Sequence, residues 1–233
     1  MRVIAGTAKG RILLGPKGAR SLEIRPVLDK VKGAIFNILG GIEGCHVLDL
    51  FAGTGAVGIE ALSRGAAHVT FVDDSHAAIV LIRRNLERCN FLPRSMVIQE
   101  KIPVKQTRGG EVLTRHGSLA VTAARALTLG RRRIKTMEAT ACERSRQDLP
   151  PPGLFDLIFV DPPYDQGLVN RTLRWIAREK MVADGGTVVV EHSPREPIAT
   201  QQMGGEGSPL SLYDQRKYGQ TYVSFLRVDE TIP

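Results

Sequence analysis

Apolar and polar positions along the chain alternate between two rhythms. Val47–Leu50, Val69–Val72, Leu157–Val160 and Thr187–Val190 are short, mostly apolar runs, the pattern of strands buried on both faces. Between them Ala56–Arg64, Ala77–Cys89 and Val169–Arg178 repeat apolar residues at helical spacing, so strand and helix alternate as in a doubly wound, mostly parallel α/β sheet. A shorter strand is predicted at Met96–Ile98, and Leu210–Tyr213 with Tyr222–Arg227 predicts a closing antiparallel pair. Ahead of the sheet, Asp29–Leu39 carries Val31, Ala34, Ile35, Ile38 and Leu39 on one helical stripe and stops at Gly40 and Gly41, a helix with a glycine end. Residues 1–25 predict a hairpin, with Val3 and Ile4 returning at Ile12–Leu14. The expected organisation is an amino-terminal hairpin-and-helix extension (1–40) and a main α/β domain (41–229).

The stretch 99–152 breaks the rhythm. It lacks a clear period, carries three arginines at Arg131–Arg133 and ends in Pro150–Pro152. A connection of that length inside one domain reads as an irregular insertion. A single helix over about 118–129 is the most it predicts.

Charge sharpens this picture. The chain carries +8 overall, and residues 101–146 hold 11 Lys/Arg against 3 Glu. Residues 1–32 hold a further 8 Lys/Arg against 2 acids. Two basic zones thus flank a neutral to acidic middle, which points either to a phosphate-binding surface or to a solvated face. Cys45, Cys89 and Cys142 are widely spaced and form no CxxC pair, so they read as free thiols in a reducing compartment, with no metal site expected. No run approaches the roughly 18 apolar residues of a membrane span, and the expected location is cytoplasmic.

Two motifs carry the chemistry. The first strand runs into Asp49-Leu50-Phe51-Ala52-Gly53-Thr54-Gly55-Ala56-Val57-Gly58, and Asp73 follows about 20 residues on at the end of the second strand. Gly53, Gly55 and Gly58 satisfy the glycine pattern of a nucleotide-binding turn, and Asp73 is placed to hold ribose hydroxyls. Both features suit NAD and S-adenosylmethionine alike. Asp49 separates them. A carboxylate there repels a pyrophosphate, by about 1 kcal/mol at 4 Å even in water, and attracts an ammonium or sulfonium.

The second motif is Asp161-Pro162-Pro163-Tyr164, which ends the run Leu157–Val160. Proline locks φ and lacks an N–H, so the turn is stiff. The exocyclic amine of a nucleobase is a poor nucleophile because its lone pair is delocalised into the ring. The Asp161 carboxylate and the Pro162 carbonyl can accept its two hydrogens and pyramidalise the nitrogen, while Tyr164 stacks on the swung-out base. The gain comes from positioning and charge placement.

With Asp49–Gly55, Asp73 and Asp161–Tyr164 in that order, the chain resembles the amino-methyltransferases of class I. Arg2-Val3-Ile4-Ala5-Gly6, Lys9-Gly10-Arg11, Arg25-Pro26, Asp29-Lys30 and Phe36-Asn37 are similar to the amino-terminal signature of the bacterial 16S ribosomal RNA guanine-N2 methyltransferase family. Leu62-Ser63-Arg64-Gly65-Ala66, Asn85 and Gln215-Arg216-Lys217-Tyr218-Gly219 add to the likeness, which covers about 1–98 and 154–227. The resemblance implies a Rossmann-like class I methyltransferase sheet with S-adenosylmethionine as methyl donor and no metal. It implies a catalytic set of Asp161, Pro162, Pro163 and Tyr164. It implies a cofactor set of Asp49, Phe51, Ala52, Gly53, Thr54, Gly55, Asp73 and Asp74. Its substrate would be one guanine of 16S rRNA in an assembled or assembling small subunit, docked by Arg2, Lys9, Arg11, Arg25 and Lys30, with the enzyme a monomer. Where the family carries an acid approaching the adenine, this chain has Gln99-Glu100-Lys101, which makes Glu100 the candidate. Three other readings stay open: an NAD-dependent oxidoreductase, an adenine or cytosine amino-methyltransferase, and a non-enzymatic RNA-binding assembly factor.

Overall fold

A computed structural model describes residues 1–16, 25–102, 154–199 and 210–228. The elements are α1 (Arg25–Leu39), β1 (His46–Leu50), α2 (Ala56–Ser63), β2 (His68–Asp73), α3 (His76–Cys89), a 3-10 turn (Leu92–Arg94), β3 (Ser95–Gln99), β4 (Phe155–Val160), α4 (Leu168–Arg178), β5 (Val182–His192), β6 (Leu210–Tyr218) and β7 (Thr221–Val228). The seven strands form one sheet in the order β3-β2-β1-β4-β5-β7-β6. β3, β2, β1, β4 and β5 run parallel, while β7 is antiparallel to both β5 and β6. The order reverses between β1 and β4, which opens a crevice at their carboxyl ends.

Strand parity divides the core. Val47, Phe71, Phe159, Val189 and Phe225 pack with residues of α1, α2 and α3 on one face. Leu48, Leu50, Ile158, Val160, Val188 and Val190 pack with Val169, Leu173, Trp175 and Ile176 of α4 on the other. Glu196, itself buried, accepts from Val169 N at 2.9 Å and satisfies a first-turn donor of α4, whose own cap residue, Gly167, has no side chain to do so.

Three elements differ from the pattern-based boundaries by more than two residues at an end. α1 begins at Arg25 rather than Asp29, because Pro26 is tolerated in a first turn where no N–H is owed. β5 begins at Val182 rather than Thr187. Gly185-Gly186 reads as a strand breaker, but the pair is absorbed in an irregularity opposite Phe155 and Leu157. β6 runs on to Tyr218, so the Gln215-Arg216-Lys217-Tyr218-Gly219 segment forms the tip of the β6–β7 hairpin. The predicted helix near 118–129, the Arg131–Arg133 run and Cys142 lie outside the described residues, as does most of the 99–152 stretch.

The amino-terminal hairpin is present as an antiparallel bridge between Arg2 and Ile12, and Val3, Ala8 and Leu13 enter the same core as α2 and α3. Three buried polar side chains hold it there. Glu60, with no solvent exposure, accepts from Ile4 N at 2.7 Å and Ala5 N at 3.0 Å. It also pairs with Lys32 at 3.3 Å and Arg64 at 2.8 Å. Ser63 accepts from Ala8 N, and Asn85 bonds both the N–H and the carbonyl of Leu14. Removing one partner of such a buried charged cluster costs about 3–5 kcal/mol, since two backbone donors lose their acceptor, Arg64 loses its ion pair, and Lys32 keeps only Arg2 O and the Asp29 carboxylate at 3.9 Å. Glu60→Ala is therefore expected to lower the free energy of denaturant unfolding by that amount and to expose the amides of Ile4 and Ala5 to rapid hydrogen exchange. Unchanged protection at those two amides would assign the anchoring to the apolar contacts alone.

Candidate active site

The turn after β1 is built of left-handed residues. Phe51, Gly53 and Gly55 have φ of 60°, 54° and 74°, and Gly55 N closes on Ala52 O at 2.7 Å. A Cβ on Gly53 would meet no atom closer than Phe51 O at 3.9 Å, so its backbone faces open space. Gly58 is a glycine for another reason. A Cβ there would stand 2.3 Å from the Phe71 ring, so its role is the close seating of α2 on the sheet.

Asp49 is 3% exposed, and its Oδ2 accepts from Gly58 N at 3.0 Å. The residue therefore braces the first turn of α2 and also lines the cleft above it. Burial pushes its pKa up to about 7, against the lowering effect of the Gly58 bond, with the Asp73 charge adding to the rise. Asp73 braces the same turn from the neighbouring strand: its carboxylate accepts from Gly53 N at 2.8 Å and Ser75 N at 2.9 Å. Both oxygens keep a lone pair for a further donor. Asp74 is exposed beside it.

Two adjoining clefts meet at Phe51 and Asp161. One, of about 180 Å³, is lined by Asp49, Phe51, Ala52, Gly53, Thr54, Asp161 and Glu191, and by Met1, Asp29 and Lys32 of the amino-terminal extension. The other, of about 360 Å³, is lined by Phe51, Asp73, Asp74, Asp161, Pro162, Pro163 and Tyr164. The structure thus brings together the catalytic and cofactor residues named from sequence, Gly55 sitting just behind the lining. Glu100 bonds Asp73 O through its own N–H and accepts from Lys101 N. It lines neither cleft.

Sequence reasoning missed Glu191. Asp49 pairs with Phe159, and Phe159 with Val189, so Asp161 and Glu191, each two residues further on, fall level and on the face that Asp49 shares. Glu191 Oε1 accepts from the Tyr164 hydroxyl at 3.0 Å, and that hydroxyl also lies 3.0 Å from Thr221 Oγ1. The Asp161 carboxyl opens to the cleft but is ringed by protein, and this desolvation, with the Glu191 and Asp49 charges, holds its pKa well above the carboxylate range. Desolvation likewise raises Glu191, opposed by the Tyr164 bond. Desolvation also pushes Tyr164 up to about 12. The available signal was an acid closing the apolar run Val188–Val190, as Asp161 closes its own.

The basic residues separate. Arg2, Lys9 and Lys30 are exposed and line one groove between the hairpin and α1. Arg11 instead donates to Arg88 O at the end of α3, so its guanidinium is partly engaged within the chain. Arg25 opens α1, and its side chain lies outside the described residues.

The raised carboxyls give a pH signature. A carboxyl whose folded pKa exceeds its unfolded value binds more protons when folded, so stability falls as pH rises between the two values. For Asp49 that window runs from about 3.8 to about 7. The ligand-free protein is expected to lose thermal stability across it. Asp49→Asn, which keeps an acceptor for Gly58 N, should flatten the decline. A variant with the wild-type pH profile would place the proton elsewhere.

A family profile described as Conserved hypothetical protein 95 aligns with residues 1–111 and 119–227. The likeness therefore carries into the 99–152 stretch instead of stopping at Ile98. A Bacillus subtilis protein named provisionally as the rRNA methyltransferase YlbH is 32% identical over 228 residues, covering 97% of this chain and 98% of its own. Ribosomal RNA small subunit methyltransferase D of Escherichia coli K12 is 26% identical over 201 residues, 86% of this chain and 78% of its own. The solved structure of an Escherichia coli protein, yhhF, named provisionally as a methyltransferase, superposes with a TM-score of 0.64 at 24% identity over 99% of each chain. The chain belongs to the Conserved hypothetical protein 95 family and is a methyltransferase.

Proposed function

We propose that this chain transfers a methyl group from S-adenosylmethionine to the exocyclic N2 of a guanine in small-subunit ribosomal RNA. The observation that carries the reading is the meeting of two clefts at Asp161 and Phe51. The smaller offers Asp49, the glycine turn, Asp161 and Glu191; the larger adds Asp73 and Asp74 for a nucleoside, and Pro162 and Tyr164 for a base. The relatives named as rRNA methyltransferases support RNA as the substrate.

The donor set fits the cofactor. Asp49 faces the cleft where an ammonium or sulfonium draws it into its ionised form, and Asp73 has lone pairs left for ribose hydroxyls beyond its bonds to Gly53 and Ser75. Bound there, the cofactor would supply an electrophilic methyl and be released as a neutral thioether. Asp161 and the Pro162 carbonyl hold the two amine hydrogens, so the nitrogen lone pair points at the methyl group. As the N–C bond forms, the nitrogen gains positive charge, and Asp161, with its raised proton affinity, takes the departing proton. Tyr164, 46% exposed, offers its ring to the extruded base while its hydroxyl stays tethered to Glu191 and Thr221.

The particle-facing surface is the groove of Arg2, Lys9 and Lys30. The enzyme acts as a monomer on an assembled or assembling subunit, in the cytoplasm. Among the described residues no helix is long and apolar enough to cross a membrane.

Asp161→Ala is expected to lower methyl transfer to unmodified small subunits by about 10²–10³-fold while S-adenosylmethionine binding by calorimetry stays within a few-fold. Wild-type turnover in that variant would remove Asp161 from the chemistry. Reversing Arg2, Lys9 and Lys30 to Glu should flatten the salt dependence of particle binding, by a slope of about one per lost phosphate contact. Reversing Arg11, partly engaged with Arg88, should change the slope less. An unaltered slope for the triple variant would make the groove a solvated face.

A further inference from the structure

Asp161 and the Pro162 carbonyl can receive the hydrogens of any exocyclic base amine, so neither distinguishes guanine from adenine or cytosine. The neighbouring ring position does. Beside its amine, guanine presents N1–H, a donor, whereas adenine presents N1 and cytosine N3, both acceptors. A guanine-selective pocket therefore needs a second acceptor next to the one that holds the amine. Building on the guanine-N2 reading above, we propose that Glu191 accepts the N1–H of the target guanine and thereby selects guanine at this site.

The sheet supplies the placement. The β4–β5 pairing of Phe159 with Val189 and Val160 with Val190 sets Glu191 level with Asp161, and the two line the same cleft. Glu191 sits within β5, paired to Val223 of β7 and one residue past the last β4 pair, Val160 with Val190, so its backbone is fixed at the sheet edge. Its Oε1 is tied to the Tyr164 hydroxyl at 3.0 Å, which orients the carboxylate beside the ring on which the base stacks. A carboxylate so tied retains acceptor capacity at its second oxygen.

Electrostatics favour the same edge. Asp161 and Glu191 repel each other, and that repulsion contributes to the raised proton affinity of Asp161. An edge with two adjacent donors, N1–H and the amine, relieves it. An edge with an acceptor beside the amine places a lone pair against Glu191 and adds to it. A site built to bond a donor rejects analogues lacking it strongly, because its own polar group is left unpaired.

The test uses 2-aminopurine, which keeps the 2-amine of guanine but has an acceptor at N1. Nucleoside mass spectrometry on small subunits lacking the modification first shows which base the wild-type enzyme methylates, and where. Subunits are then rebuilt with 2-aminopurine at that position. Wild-type enzyme is expected to favour guanine over 2-aminopurine in kcat/KM by about 10²-fold or more. Glu191→Gln can keep an oxygen toward Tyr164 and turn its N–H₂ to the base. This variant should lose about 10²-fold on guanine, and its preference should collapse to within about tenfold or invert. Its affinity for S-adenosylmethionine should stay within a few-fold.

Tyr164→Phe serves as the control for a role exercised only through the ring, since it breaks the tether and keeps the carboxylate. It should lower both substrates and reduce the preference by less than Glu191→Gln does, since the carboxylate remains but is less firmly oriented. A wild-type preference under tenfold, or a Glu191→Gln variant with the wild-type preference intact, overturns the assignment. A product methylated on adenine or cytosine overturns the guanine reading itself, and the wild-type reaction alone reveals that.

Discussion

The registers of β1 with β4 and of β4 with β5 are the constraint on which the site depends. Asp49 faces Phe159 and Phe159 faces Val189, so one parity runs across the three central strands. On that parity the side chains are apolar within the sheet and acidic at its carboxyl edge, at Asp49, Asp161 and Glu191. A slip of one residue in either pairing would turn an acid into the α4 face and an aliphatic side chain into the cleft. The packing of Phe159 against Phe36, with ring centroids 5.6 Å apart, and of Ile158 and Val160 against α4 makes such a slip costly. The same contacts that stabilise the fold therefore hold the acids level.

Gathering three acids at one edge opposes folding, and the raised proton affinities of Asp49, Asp161 and Glu191 express that cost. Two of the acids are offset by specific donors. Gly58 N serves Asp49, and the Tyr164 hydroxyl serves Glu191. The remaining imbalance suits cationic and donor-rich ligands, which bring positive charge and hydrogen-bond donors to this edge. Function here draws on local instability confined to a rigid edge.

The amino-terminal segment reaches the site by a different route. Its contacts to the sheet domain are polar anchors set into an apolar interface: Glu60, Ser63 and Asn85 meet backbone groups between Ile4 and Leu14. Asn85 also bonds Thr54 O in the glycine turn, so one side chain links the hairpin to the cleft that Thr54 lines. Lys32 joins Glu60 to the carbonyl of Arg2. Met1, Asp29 and Lys32 then contribute to the wall of the cleft that holds Asp49 and Asp161. The basic groove and the chemical site are in this way parts of one assembly.

Much of this was determined by the sequence alone, for local reasons. Strand and helix rhythm follows from periodicity, so the order of elements was legible, and Pro162-Pro163 or Gly53–Gly58 reveal themselves because their backbone requirements restrict residue type. The start of β5 was not legible, since a Gly-Gly pair is read as a breaker until a partner strand absorbs the irregularity. Glu191 was not singled out, because an acid after a valine run gains meaning only when the register sets it beside Asp161. The division of the basic residues also belongs to tertiary structure. Arg2, Lys9 and Arg11 look equivalent along the chain, yet the hairpin directs the first two to the groove and the third to the carbonyl of Arg88. Charge is a property of composition, but its direction is decided by packing between segments distant in sequence.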